Sequence, residues 1–129
     1  MKMKIVYTFQ AQQDLKNIYE YISNSLLAPD TARNMYQKII QSARSLATMP
    51  ERNHLYKDEP WHSRGVRFLP IKNYLLFYTI NNETLTVSIF RILYGGMDIN
   101  RQLEETSAFK FSNPTVSRST FLYHIQISP

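Results

Sequence analysis

The sequence predicts an α+β domain, with an N-terminal strand and a two-helix hairpin packed on an antiparallel sheet of three to four strands. Three observations carry that expectation. Apolar residues recur at helical spacing between residues 10 and 49, apolar strand-length segments follow between residues 64 and 94, and proline or polar breaks separate them. A chain of 129 residues that is 43% hydrophobic and 13% aromatic can bury one sizeable core.

Lys2 to Tyr7 reads as a short strand, because Ile5, Val6 and Tyr7 favour extended backbone, and Thr8 then offers a helix cap. Gln10 to Leu26 follows as a helix. Ala11, Leu15, Ile18, Ile22 and Leu26 draw one buried stripe along it, flanked by Tyr19 and Tyr21, and Asp14, Lys16, Asn17 and Glu20 are left for solvent. Ala28-Pro29-Asp30 breaks this helix, with Asp30 as the expected cap of the next. Thr31 to Met49 repeats helical spacing through Ala32, Met35, Tyr36, Ile39, Ile40, Ala43 and Leu46, until Pro50 ends it.

Residues 51–62 mix charge with Pro60 and Trp61 and show no period, so they read as a loop. Arg64 to Pro70 opens the sheet, with Pro70 suited to an edge or an end. Asn73 to Ile80 and Thr84 to Tyr94 form the next two strands, joined by a turn at Asn81 and Asn82. Strict alternation in the last strand puts Leu85, Val87, Ile89, Arg91 and Leu93 on one face and Thr86, Ser88, Phe90, Ile92 and Tyr94 on the other. Gly95-Gly96 supplies a permissive turn, and Asp98 caps a short helix to Glu105 that returns Ile99 and Leu103 to the core. These segments compose one domain over residues 1–106. Residues 107–129 have no acidic residue and end in an apolar run from Phe121 to Ile127. They form an appendage: a flexible tail, an added edge strand, or sequence foreign to the domain.

Without cysteine there is no disulfide framework or thiolate site, and His54, His62 and His124 are too scattered for a metal site, so neither metal nor cofactor is expected. The N-terminal apolar run is too short for a signal peptide and no run is long enough to span a membrane, which leaves a cytoplasmic protein as the expectation. A net charge of +5 favours an acidic partner without choosing among nucleic acid, protein and anionic surface. Between Arg33 and Lys72 eight basic residues stand against three acidic ones, so the basicity is concentrated there.

Arg91 is the odd residue on its strand. Its expected partner is Asp98 across the turn, since a buried arginine needs a carboxylate. Metal-independent cleavage of RNA would need a base for the ribose hydroxyl, a cation for the phosphate and an acid for the leaving oxygen. Arg64, Arg67, Lys72, Arg91 and Tyr94 are the candidates for that chemistry, and none has an evident histidine or carboxylate beside it to act as base. As a target-binding set the candidates are Trp61, Arg67, Arg91 and Tyr94, where Trp61 either joins a binding surface or covers one end of the core.

The segments Asp14–Ile22 (DLKNIYEYI), Asn73–Ile80 (NYLLFYTI) and Ile89–Asp98 (IFRILYGGMD), in this order behind the N-terminal strand, resemble the RelE/ParE superfamily of toxins from bacterial type II toxin-antitoxin systems. The likeness covers roughly residues 2–105. It implies the RelE/ParE-like fold and a small toxin that arrests growth, serves functions such as plasmid stabilisation, and is neutralised by a cognate antitoxin wrapping a disordered segment around it. Two activities divide the superfamily: ribosome-dependent cleavage of messenger RNA in the RelE branch and poisoning of DNA gyrase in the ParE branch. Leu75 stands where the ribonucleases typically carry arginine, and Gly95, Gly96 and Met97 stand where they often carry charged or imidazole side chains. Arg91, followed by aromatic Tyr94 and then Asp98, is closer to the ParE pattern, with Tyr94 in place of its usual histidine. The resemblance therefore implies a gyrase inhibitor rather than an enzyme. The alternatives are a ribosome-dependent endoribonuclease and an inactive member that only binds its antitoxin.

Overall fold

The computed structural model describes residues 2–106 and 124–125. Its elements run β1 (Lys4–Thr8), α1 (Phe9–Glu20), α2 (Pro29–Arg44), β2 (Arg67–Ile71), β3 (Tyr74–Asn81), β4 (Thr86–Tyr94), α3 (Ile99–Glu104) and β5 (His124–Ile125). The helix pair on a sheet is as expected, but the sheet is mixed. Its order is β2-β3-β4-β1-β5, and β1 lies inside it, parallel to β4 from Lys4 opposite Thr86 to Tyr7 opposite Ile89. The N-terminal strand is thus not a separate layer. It satisfies the backbone edge of β4 that the β3–β4 hairpin leaves open. The other neighbours pair antiparallel, β5 with β1 at Tyr7–Ile125 and Thr8–His124. Of the appendage expected over residues 107–129, residues 107–123 and 126–129 lie outside the described residues.

Thr8 caps α1 as expected, its hydroxyl accepting the Ala11 amide at 3.1 Å. Ala11, Leu15, Ile18 and Ile22 are buried, but Leu26 is 55% exposed. The reason is local: from Tyr21 to Ser25 the helix widens to i→i+5 bonding, with the Leu26 amide reaching the Tyr21 carbonyl, and the stripe loses its phase. Asp30 is not the cap of α2. Pro29 takes the first helical position, where no N–H is needed, and Asp30 sits in the first turn paired with Arg33. The helix ends at Arg44, short of Met49. Residues Ser45–Ala47 tighten to 3-10 geometry, and Arg52 Nη1 donates to the Ser45, Thr48 and Met49 carbonyls at 3.2, 2.7 and 3.3 Å.

The strict alternation expected along β4 fails at one residue. Tyr78 pairs with Ile89 and Phe77 with Arg91, so Phe90 is bulged out of the ladder. Before the bulge Val87 and Ile89 face the helices, and after it Ile92 does. Arg91 and Leu93 face the opposite side with Phe77 and Leu75, so they do not share a face with Val87 and Ile89. The helix-side core gathers Tyr7, Leu15, Ile39, Leu46, Leu76, Tyr78 and Ile89. A second core on the other face gathers Trp61, Val66, Phe77, Phe90, Leu93 and Leu103, covered by the 51–66 segment and α3. Asp98 caps α3 and Leu103 is buried, as expected.

Burial raises the pKa of the Tyr7 phenol well above its ordinary value, with Tyr36 adding to the shift and Arg44 opposing it. The unfolded chain ionises this group near pH 10 while the native state keeps its proton. Its contribution is therefore complete below that pH and is lost as pH rises beyond it. Chemical denaturation between pH 8 and pH 11 should show stability falling above about pH 10, and Tyr7→Phe should flatten the fall. An equal slope in both proteins would remove Tyr7 as its source. Among the described residues no helix is long and apolar enough to cross a membrane.

Candidate functional site

The structure separates the residues singled out by sequence into three environments. Arg91 is in the first, only 8% exposed. Its partner is not Asp98, which is occupied in capping α3 through the Arg101 amide. It is Asp14 of α1, expected in solvent: Arg91 Nε donates to Oδ2 at 2.8 Å and Nη2 to Oδ1 at 3.1 Å, a two-point fork of planar groups. Arg91 Nη1 donates to Thr106 Oγ1 at 3.2 Å, and that hydroxyl donates on to the Gln102 carbonyl at 2.8 Å.

Asp14 has a second duty. Beyond Thr8, β1 has turned into helix and no longer pairs with β4, and there Asp14 Oδ2 accepts the Ile92 amide at 2.8 Å while the Thr8 hydroxyl donates to the Phe90 carbonyl at 3.3 Å. Two side chains thus stand in for the missing strand. Burial lifts the Asp14 carboxyl above its ordinary value, and Arg91 and the Ile92 amide pull it part of the way back. The sequence held a signal for this residue: Ala11, Asp14, Leu15 and Ile18 fall at i, i+3, i+4 and i+7, which places the carboxylate on the buried face.

The second environment is the 51–66 segment and the strand beneath it. Trp61 is 3% exposed and belongs to the second core, so of its two readings the structure supports core cover, not an exposed binding residue. Arg64 lies over its ring, 5.6 Å from the centroid. Arg67 Nη1 donates to the Asn53 and Glu51 carbonyls at 2.7 and 3.1 Å, which fastens the segment to β2. Tyr78 helps from the other face, donating to the Pro50 carbonyl at 2.6 Å and accepting from Asn53 Nδ2 at 3.1 Å.

The third environment is the open end of the β2–β3 and β4 strands. Tyr94 is 51% exposed and meets Tyr74 edge to face, with ring centroids 6.0 Å apart. A side-chain carbon on Gly96 would fall 2.5 Å from the Tyr94 ring, so the second glycine of the pair is what lets this tyrosine lie against its own turn. Tyr74 is pushed toward its neutral form, first by burial and then by the Tyr21 and Tyr94 phenols. Lys72, in left-handed backbone at φ 54°, shares an open cavity of about 270 Å³ with Thr31, Asn34, Met35 and Lys38 of α2. On the outer side of the helix pair, Leu15, Lys16, Tyr19, Glu20 and Tyr36 line a groove of about 260 Å³. Among the described residues no three or more His, Cys, Asp or Glu side chains are placed to hold a metal.

This geometry does not gather the cationic candidates at one point: Arg91 is buried against Asp14, Arg67 is tied to two carbonyls, Arg64 lies on Trp61, and Lys72 stands at the far turn. A family model described as the ParE toxin of type II toxin-antitoxin system, parDE, matches residues 5–99. The chain belongs to the ParE toxin family. The match runs from within β1 to the first residue of α3 and includes the Asp14–Arg91 pair. Among solved structures, the ParE fold of this chain is similar to that in the chromosomal ParDE toxin-antitoxin system of Pseudomonas aeruginosa, at 23% identity and a TM-score of 0.59 over 72% of this chain and 96% of that one. It is also similar to the toxin-antitoxin complex RelBE2 of Mycobacterium tuberculosis, at 21% identity and a TM-score of 0.53 over 73% and 92% of the two chains. A search of curated protein sequences found no match. Leu75 is half-buried opposite Leu93 on the second core of this ParE chain.

Proposed function

We propose that this chain is the toxin half of a type II pair, that a cognate antitoxin holds it inactive in the cytoplasm, and that its target is DNA gyrase. The observation that carries the reading is the ParE family match across residues 5–99. The fate of the arginines supports it against RNA cleavage. A nuclease needs a cation poised over the phosphate, and Arg91 and Arg67 are spent on Asp14 and on backbone carbonyls. Leu75 supplies packing where the ribonuclease pattern has a charge.

The antitoxin's seat in this reading is the groove along α1 and α2. Tyr19 and Tyr36 meet edge to face across it at 6.3 Å, and Leu26 and Leu27 stand exposed at 55% and 83% where the helices join. An amphipathic helix laid into such a groove covers apolar surface that water otherwise meets.

The test is a supercoiling assay with purified full-length protein. Gyrase activity should fall with toxin concentration and recover on adding the product of the adjacent small open reading frame. Messenger RNA cut at ribosomal A sites, with supercoiling untouched, would reverse the assignment to an endoribonuclease. Normal growth under verified strong expression, with neither effect, would reduce the chain to an antitoxin-binding member.

A further inference from the structure

The sheet has three stretches of edge, and the chain closes two of them by different means. The outer edge of β2 carries Pro70, which has no N–H to offer a further strand, and meets an isolated bridge from Leu55 to Arg67. The stretch of β4 beyond β1 is closed by Thr8 and Asp14. The outer edge of β1 remains. The Lys4 amide donates to the Leu85 carbonyl, so Lys4 faces β4, while the Met3 amide donates outward to the Ala47 carbonyl. Alternation along the strand then aims the backbone groups of Ile5 and Tyr7 outward. Tyr7 is 2% exposed, so its backbone N–H needs a partner from protein rather than solvent. Gln12 Nε2 reaches the Tyr7 carbonyl at a long 3.4 Å, a contact that leaves the N–H unaddressed.

β5 lies along this edge, antiparallel, with Ile125 opposite Tyr7 and His124 opposite Thr8. These two residues sit within the apolar run Phe121–Ile127 of a segment that has no acidic residue. We propose that the outer edge of β1 is a strand-acceptor site, occupied in cis by the chain's own C-terminal strand and able to take the same segment when it is supplied in trans. The inference does not rest on the gyrase reading. Its recognition is by backbone hydrogen bonds, so an extended segment whose residue at the Ile125 position offers a carbonyl to the Tyr7 N–H and an N–H to the Tyr7 carbonyl is what the site selects. Its consequence is that the chain guards its own edge against a strand from a second copy.

The test uses the full chain and amide hydrogen exchange read residue by residue. Ile125→Pro removes the N–H that pairs with the Tyr7 carbonyl and breaks the two-way pairing in which the Ile125 carbonyl accepts the Tyr7 amide, so exchange at the Tyr7 amide should speed at least tenfold while the inward-facing amide of Val6 stays within twofold of wild type. Thr115→Pro, a proline placed elsewhere in the same segment, should leave both unchanged. Adding a synthetic peptide of residues 121–129 to the Ile125→Pro protein should restore slow exchange at Tyr7, and adding it to wild type should change nothing. Tyr7 exchange within twofold of wild type in Ile125→Pro would overturn the proposal, as would a peptide that fails to restore protection. Protection at Tyr7 that falls on dilution of the wild type would also overturn it, because the strand would then come from a second copy.

Discussion

Asp14→Ala is expected to destabilise the fold by about 3–5 kcal/mol, because it leaves the Arg91 guanidinium buried without its carboxylate and strips the Ile92 amide of its acceptor. Urea denaturation followed by circular dichroism measures it, with a shifted midpoint and an unchanged slope. Asp14→Asn should lose less, since an amide oxygen still accepts from the backbone. Arg91→Ala should be comparably damaging because Asp14 is then the orphan. Joining Arg91→Met to Asp14→Ala should recover part of the loss, as replacing a buried pair with apolar side chains often does. A double variant no better than the worse single one would show that the cost lies in the backbone edge rather than in the charge. Arg91→Ala with an unchanged melting temperature and abolished toxicity would move Arg91 from the core to the target surface.

Trp61→Ala should cost about 3–5 kcal/mol, the range for emptying a large aromatic site in a core. The indole is buried against Phe77, Phe90 and Leu103 in the second core, and its loss also removes the platform under Arg64. Trp61→Phe keeps most of the volume and should retain both fold and toxicity. If the phenylalanine variant melts like wild type yet no longer acts on its target, the indole serves recognition and the burial argument has missed it.

Much of the fold was legible because the period of the apolar residues does not depend on distant neighbours. The stripe Ala11, Leu15, Ile18, Ile22, the cap at Thr8 and the return of Leu103 all follow from local rules. What escaped were features set by pairings across long loops. The parallel seat of β1 joins Lys4 to Thr86, the bulge at Phe90 exists only in relation to β3, and Arg91 reaches 77 residues back to Asp14 while sequence proximity pointed to Asp98. The candidate site was legible as a set of residue types but not as a place. Arg67, Arg91 and Trp61 stood as target-binding candidates, with a carboxylate-paired role for Arg91 and core cover for Trp61 as the other readings, and the structure gives each a holding role; Arg64, Lys72 and Tyr94 stand where a partner could meet them.

The placing of the two cores back to back on β3 and β4 has a thermodynamic consequence. Ile89 belongs to the helix-side core and Phe90 to the other, just as Tyr78 and Phe77 do on the neighbouring strand. One peptide bond therefore links each core to its counterpart across the sheet, and the two cores depend on the same strands. The two halves of the molecule are expected to be lost in a single cooperative transition rather than one after the other.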